Sequence, residues 1–269
     1  MHYRSVLFVP GNRPERYEKA CAAGADLVCI DLEDSVGPSD KDRARDDALN
    51  YLSETQHAHV GVRINGVQTP EGKNDIQALT ESDLTLPFVM IPKVSDKGEM
   101  SDLDDDLPNE LGVFCPIIES AIGLLNAAEI FSNGRVSLAL FGAVDFSADL
   151  DCDLSWAALL HARSVLANVA AAHDVNLFDV PHIDVRDLDD CESTTRRNKT
   201  LGIHARAAIH PAQIDRIHAA LAPSEAEVKQ AEAVIAAYQK ADGDVALLDG
   251  KLIEAPLLKK AQRVLRTRK

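Results

Sequence analysis

Short, nearly all-apolar runs recur along the chain, and stretches with helical spacing separate them. The runs lie at 5–10, 27–34, 60–65, 88–94, 112–118, 136–144, 177–185 and 206–211. Runs of this length bounded by polar or turn residues predict strands buried on both faces, as in a parallel sheet. Helices are predicted from Pro14 to about Gly24, from Ser39 to about Leu52, near Asp75–Thr80, over 121–131 and over 155–172. Proline at a first helical position favours the first of these. The seventh run is weaker, because Pro181 inside a strand demands an edge, an end or a bulge. Eight strands with helical segments between them, and one more after the last, match a (β/α)₈ TIM barrel over 1–222. A doubly wound sheet is the alternative; it requires a GxGxxG turn after the first strand, and FVPGNRPER is not one.

The remainder, 223–269, has another pattern. Ser224 and Glu227 form a capping box opening an amphipathic helix to about 241. Asp249-Gly250 between apolar pairs predicts a two-residue hairpin, and 257–265 predicts a basic helix. This is a C-terminal helical and hairpin extension.

Composition narrows the function classes. The chain has 269 residues, is 46% hydrophobic and carries a formal charge of −15. With no basic cluster before the last dozen residues, nucleic acid is a poor partner. No apolar run reaches membrane-spanning length, so no membrane partner is expected, and the N-terminus does not read as a signal peptide. The five cysteines (21, 29, 115, 152, 191) form no CxxC pair. They read as reduced core thiols in a cytoplasmic protein, and they make zinc a poor candidate.

In a TIM barrel the chemistry sits at the carboxyl ends of the strands. Those ends carry Asp31, Glu33 and Asp34; Arg63 and Asn65; Lys93; Glu119 and Ser120; Asp145; Asp184; and His210. Acids buried there must be paired or hold a cation. Glu119 and Asp145, each closing an apolar run on neighbouring strands, suggest a hard divalent cation, most simply Mg²⁺. The competing reading makes each a helix N-cap without chemistry. A structural ion-pair network is the competing reading for Asp31, Lys93 and Asp184. Arg63, inside VGVRIN, needs partners to be buried, and its fork suits bidentate recognition of a carboxylate.

RSVLFVPGNRPERYEKA, GADLVCIDLEDSV, VRING, IPKV, PIIES, LFGAVDFSADL and AAIHPAQI occur in this order, followed by LLDGKLIEAPLLKKAQRVL. Together they resemble the citrate lyase beta-subunit family of the HpcH/HpaI aldolase superfamily, over nearly the whole chain. The resemblance implies a TIM barrel, usually trimeric, whose extension packs on a neighbouring subunit. It implies Mg²⁺ held by Glu119 and Asp145, with water and substrate oxygens completing the shell. Arg63 and the backbone amides of Ala143, Val144 and Asp145 would bind an oxyacid carboxylate. Glu33 and Asp34 would be acids facing metal-bound water, and Glu254, where many relatives have Asp, the acid/base. Arg13, on the first loop, is a candidate for thioester-carrier phosphates, from CoA or an acyl carrier. Two departures stand out: Ile122 where many members have Arg, and Ala205-Arg206 where Gly-Lys is usual.

The implied reaction is Mg²⁺-dependent carbon–carbon cleavage of a malyl-, citramalyl- or citryl-type 3-hydroxyacyl thioester into a 2-oxoacid and an acyl thioester, or its reverse. A carrier-free 2-oxoacid aldolase and a non-independent subunit of a citrate lyase complex are the alternatives.

Overall fold

The computed structural model describes residues 3–241, 246–248 and 251–266. The chain divides into two compact units, Met1–Ala220 and Leu221–Lys269.

In the first unit the apolar runs become β1 (Ser5–Pro10), β2 (Leu27–Asp31), β3 (Val60–Arg63), β4 (Phe88–Ile91), β5 (Val113–Ile118), β6 (Leu138–Phe141), β7 (Asn176–Asp179) and β8 (Ala205–Ala208). Each pairs in parallel with the next, and β8 returns to β1, closing the barrel. The connecting helices are α1 (Tyr17–Cys21), α2 (Lys41–Glu54), α3 (Pro70–Thr80), α4 (Lys97–Asp106), α5 (Ala121–Leu125), α6 (Ala127–Phe131), α7 (Ala143–Asp149), α8 (Trp156–His173), α9 (Leu188–Thr200) and α10 (Ala212–Leu221). Asn126 ends α5 and precedes α6, so the helix expected over 121–131 is two short ones.

Side chains alternate along each strand, and one set fills the barrel. Val6, Leu27, Cys29, Phe88, Met90, Cys115, Ile117, Leu138, Leu140, Phe178, Ala205 and Ala207 form this interior cluster. Gly61 belongs here because a Cβ would stand 2.5 Å from the Phe88 carbonyl oxygen and 2.7 Å from its ring. Continuing the same alternation by two residues puts Asp31 after Cys29 and Arg63 after Gly61, and these two are register partners. The interior is therefore apolar below and charged at the carboxyl end.

Several runs are longer than the strands they contain, and the difference moves candidate residues. The second run stops at Asp31, whose carboxylate accepts the N–H groups of Glu33 (2.9 Å) and Ser35 (3.2 Å) and turns the chain. The sixth stops at Phe141, so Asp145 sits in the first turn of α7 and not on a strand end. The seventh stops at Asp179, before Pro181, which leaves Asp184 exposed in a loop where it accepts the Arg186 N–H. His210 is likewise exposed, past the end of β8.

In the second unit α11 (Glu225–Lys240) opens with the full Ser224–Glu227 capping box. β9 (Ala246–Leu248) and β10 (Lys251–Ile253) pair antiparallel, and α12 (Ala255–Arg266) follows. The Asp249-Gly250 turn between them lies outside the described residues. Ala231, Val234, Ala246, Ile253 and Ala261 form this unit's own core. Glu254 is exposed, between β10 and α12. All five cysteines are free, and four are buried. Among the described residues, no helix is long and apolar enough to cross a membrane.

Candidate active site

A cleft of about 370 Å³ opens at the carboxyl end of the barrel, lined by Asp34, Lys93, Glu119, Ser120, Asp145 and Asp149. A hollow of about 310 Å³ lies at the other end, beside Tyr3, Leu27 and Phe88. Among its described lining residues it has one acid, Asp174, and no cation, so the cleft at the carboxyl end is the candidate site.

Glu119 follows β5 and is 7% exposed. Its Oε1 accepts the backbone N–H of Lys93 at 2.6 Å. Lys93 adopts φ +58°, a left-handed conformation that costs a non-glycine residue roughly 1 kcal/mol. The strain aims that N–H across from the end of β4. Burial, with the negative charge of Glu33 beside it, pushes the Glu119 carboxyl up to about 8.

Gly142 brings Glu119 and Asp145 together. Its N–H donates to the Ile118 carbonyl, continuing the β5–β6 ladder, and α7 starts at the next residue. A Cβ at position 142 would stand 2.5 Å from Glu119 Oε2 and 2.6 Å from its Cβ. The carboxylate thus lies directly over this glycine, one turn from Asp145. Gly142→Ala is expected to displace Glu119 and weaken Mg²⁺ binding about 10–100-fold, the usual loss for a disturbed supporting contact. Calorimetric titration with Mg²⁺ checks this; unchanged affinity would mean that the contact does not place the carboxylate.

Beneath the cleft lies an ion-pair network. Arg63 is 12% exposed at its side chain. Its Nε and Nη2 donate to the two oxygens of Asp31 at 2.6 and 2.7 Å. The fork that the sequence reserves for a substrate carboxylate is therefore engaged internally. An arginine on the barrel's inner face must be neutralised where it stands. Its Nη1 lies 2.8 Å from Glu33 Oε2 and 3.6 Å from Asp34. Burial pushes Asp31 up, but the charge and hydrogen bonds of Arg63 outweigh it, and the carboxyl is held below its ordinary value. For Glu33 burial prevails over Arg63 and Lys93, and its carboxyl is raised. Glu33 Oε1 accepts from Lys93 Nζ at 2.7 Å, while the buried Oε2 has no hydrogen-bond partner despite the nearby guanidinium. The Arg63 guanidinium also lies 5.0 Å from the Phe8 ring centre.

Further residues brace this network, Asn65 and Ser120 from the strand ends and the others without a signal in the strand pattern. Lys41 Nζ donates to the carbonyls of Leu32 and Glu33 and to Asn65 Oδ1, clipping the β2 loop from behind. Asn65 donates to Asp75, which also takes Arg45 Nε at 2.6 Å. Asp149 Oδ2 accepts the Ala121 N–H at 2.7 Å, tying the end of α7 to the start of α5. Ser120 caps α5 through its side chain. The spacing of Asp149 four residues after Asp145 was the available cue, since it places both acids on one face of a helix.

The candidate residues thus separate into groups. Asp34, Glu119 and Asp145 line the cleft, with Ala143 buried and Val144 exposed in the first turn of α7. Glu33 and Arg63 lie under it. Arg13 is exposed on the loop after β1 and is not a lining residue. Glu254 belongs to the second unit.

The donors suit Mg²⁺. Among the described residues no group of three or more His, Cys, Asp or Glu converges as a complete protein cage. Two carboxylates facing one open cleft are what Mg²⁺ uses when water and substrate oxygens fill the remaining positions. The raised carboxyl of Glu119, buried beside the negative charge of Glu33, is what a cation in the cleft would offset.

Comparison with known proteins follows the same lines. Residues 4–211 match the family model of HpcH/HpaI aldolase/citrate lyase. The chain is 32% identical to the citrate lyase subunit beta of Leuconostoc mesenteroides subsp. cremoris, over 98% of this chain and 92% of that one. It is 31% identical to the (3S)-malyl-CoA thioesterase of Cereibacter sphaeroides, over 94% of this chain and 90% of that one. Its structure superimposes on the protein CitE of Mycobacterium tuberculosis, in complex with magnesium, acetoacetate and coenzyme A, with a TM-score of 0.87 and 28% identity, covering 99% and 98% of the two chains.

Proposed function

The chain belongs to the HpcH/HpaI aldolase/citrate lyase family, and on that premise we propose that it is a Mg²⁺-dependent carbon–carbon lyase. It splits a malyl-, citramalyl- or citryl-type 3-hydroxyacyl thioester into a 2-oxoacid and an acyl thioester, or joins them. The observation that carries this reading is the pair Glu119 and Asp145, lining one open cleft beside Gly142.

Glu119 and Asp145 hold the ion. When bound, it supplies a Lewis acid that lowers the pKa of a substrate hydroxyl and favours cleavage of the adjacent carbon–carbon bond. The amides of Ala143, Val144 and Asp145 open α7 and lack helical acceptors, which suits them to a substrate carboxylate. Arg63 fixes Asp31 through Nε and Nη2 and lies against Glu33 through Nη1, whose second N–H is the donor for a substrate oxygen. Glu33 and Asp34 would be the acids that orient metal-bound water, Asp34 from the cleft lining and Glu33 from beneath it. Glu254 is assigned the acid/base role at the thioester α-carbon, acting on the site of a neighbouring copy. Glu254→Gln is then expected to lower turnover about 10²–10⁴-fold while leaving Mg²⁺ affinity unchanged.

CoA is the carrier most in keeping with the relatives, and Arg13, exposed on the loop after β1, is the candidate for its phosphates. A homo-oligomer, trimeric as the resemblance implies, is supported by exposed apolar side chains such as Leu125 (80%) and Ile122 (53%). Cytoplasmic residence is supported by the free, mostly buried cysteines.

The test is a panel of malyl-, citramalyl- and citryl-thioesters assayed for 2-oxoacid release with and without Mg²⁺. Release that requires the ion is expected for at least one of them. No release from any, in the presence of Mg²⁺, would overturn the reading.

A further inference from the structure

We propose that Lys93 is the side chain that meets the anionic end of the substrate. This assignment rests on the lyase reading of the same site.

A substrate entering the cleft meets four carboxylates: Asp34, Glu119, Asp145 and Asp149. Among the described lining residues, Lys93 is the one cation. Without it, and with the ion offset by its own ligands, an anionic substrate would approach a negative wall. Arg63 is less available, because the Nε/Nη2 edge of its guanidinium is taken up by Asp31, its Nη1 lies against Glu33, and it is largely covered.

Lys93 has the opposite properties. Its side chain is 56% exposed. The ammonium has three donors, and one rests on Glu33 Oε1 at 2.7 Å. The contact holds the ammonium at the edge of the cleft and leaves donors for an incoming oxyanion. Its backbone N–H meanwhile holds Glu119 Oε1. One residue therefore places a metal ligand with its main chain and a cation with its side chain. The left-handed backbone sets the N–H direction relative to the Cα–Cβ bond, and the Glu33 contact places the ammonium.

That division allows the two roles to be separated. Lys93→Gly keeps the N–H that holds Glu119 and adopts φ +58° without penalty, but it has no ammonium. Lys93→Arg keeps the charge. The full-length chain and both variants would be titrated calorimetrically with Mg²⁺ alone, then with pyruvate, a simple 2-oxoacid, at saturating Mg²⁺. Lys93→Gly is expected to bind Mg²⁺ as well as the parent or more tightly, since positive charge has left the cleft. It is expected to lose about tenfold or more in pyruvate affinity, the loss of a charged hydrogen bond. Lys93→Arg is expected to retain most of that affinity. A purely structural role would weaken both ligands together, and that result would overturn the proposal. So would undiminished pyruvate binding by Lys93→Gly, or no pyruvate binding by the parent. The lyase reading fails separately if pyruvate binding depends on Mg²⁺ and Lys93 while no thioester is cleaved; the anion assignment would then stand alone.

Discussion

Glu119→Gln is expected to abolish Mg²⁺-dependent turnover and, at the same time, to make the metal-free protein more stable. The first effect follows from losing one of two protein ligands to the ion. A Lewis acid contributes several kcal/mol of charge stabilisation, so a loss of about 10³-fold or more is expected. The second effect follows from burial. In the folded chain the Glu119 carboxyl stands at about 8, against an ordinary value of 4.5. As pH rises from the lower to the higher value, the unfolded chain gives up this proton and the folded chain keeps it. Stability therefore falls through that window, and the full penalty is present above about 8. Glutamine has no such proton, and its amide oxygen can still accept from the Lys93 N–H. At pH 8 without metal the variant should gain on the order of 2 kcal/mol, or roughly 4–8 °C in Tm. Adding Mg²⁺ should raise the Tm of the parent and not that of the variant. Thermal melts at pH 5.5 and pH 8, with and without Mg²⁺, check all of this. A variant less stable than the parent at pH 8 without metal would mean that the carboxylate is compensated by partners already in the fold.

Arg63→Ala carries the second large effect, on stability. It strands Asp31, which is 2% exposed, without its bidentate partner. Breaking a buried ion pair by removing one member costs about 3–5 kcal/mol, since a bare charge is left inside. For a chain of this size the Tm should fall by about 10 °C. Arg63→Lys should recover only part of the loss, because an ammonium cannot span both oxygens of Asp31. The double variant Asp31→Asn, Arg63→Met should be more stable than Arg63→Ala, since it removes both charges together. Equal stability of the two would assign the loss to packing on Phe8 and not to the stranded carboxylate. Chemical denaturation of the metal-free proteins separates these outcomes.

The barrel was legible in the sequence because parallel strands, covered on both faces, are written as uninterrupted apolar runs. What the runs do not encode is where the strand ends and the turn begins. LVCIDLED carries on past Asp31 in hydropathy, yet the Asp31 side chain takes its own loop's amides and stops the strand. VSLALFGAV is one run in composition, but Gly142 divides it into a strand and the start of a helix. Asp145, expected at the end of a strand, lines the cleft from the first turn of that helix. The pairing of Asp31 with Arg63 depends on register between β2 and β3, which hydropathy does not encode. For the same reason the sequence offers Arg63 to the substrate while the fold gives its fork to Asp31. Gly142 had no signal beyond being a glycine before a helix, because the reason for it is the Glu119 carboxylate arriving from the neighbouring strand.

The central claim is that Glu119 and Asp145 share one divalent ion. Anomalous diffraction from crystals soaked in Mn²⁺, standing in for Mg²⁺, measures this directly. One strong peak is expected in the cleft, within bonding distance of a carboxylate oxygen from each residue, and it is expected to be lost in Asp145→Ala. A peak on other residues, or one that persists unchanged in Asp145→Ala, would contradict the claim.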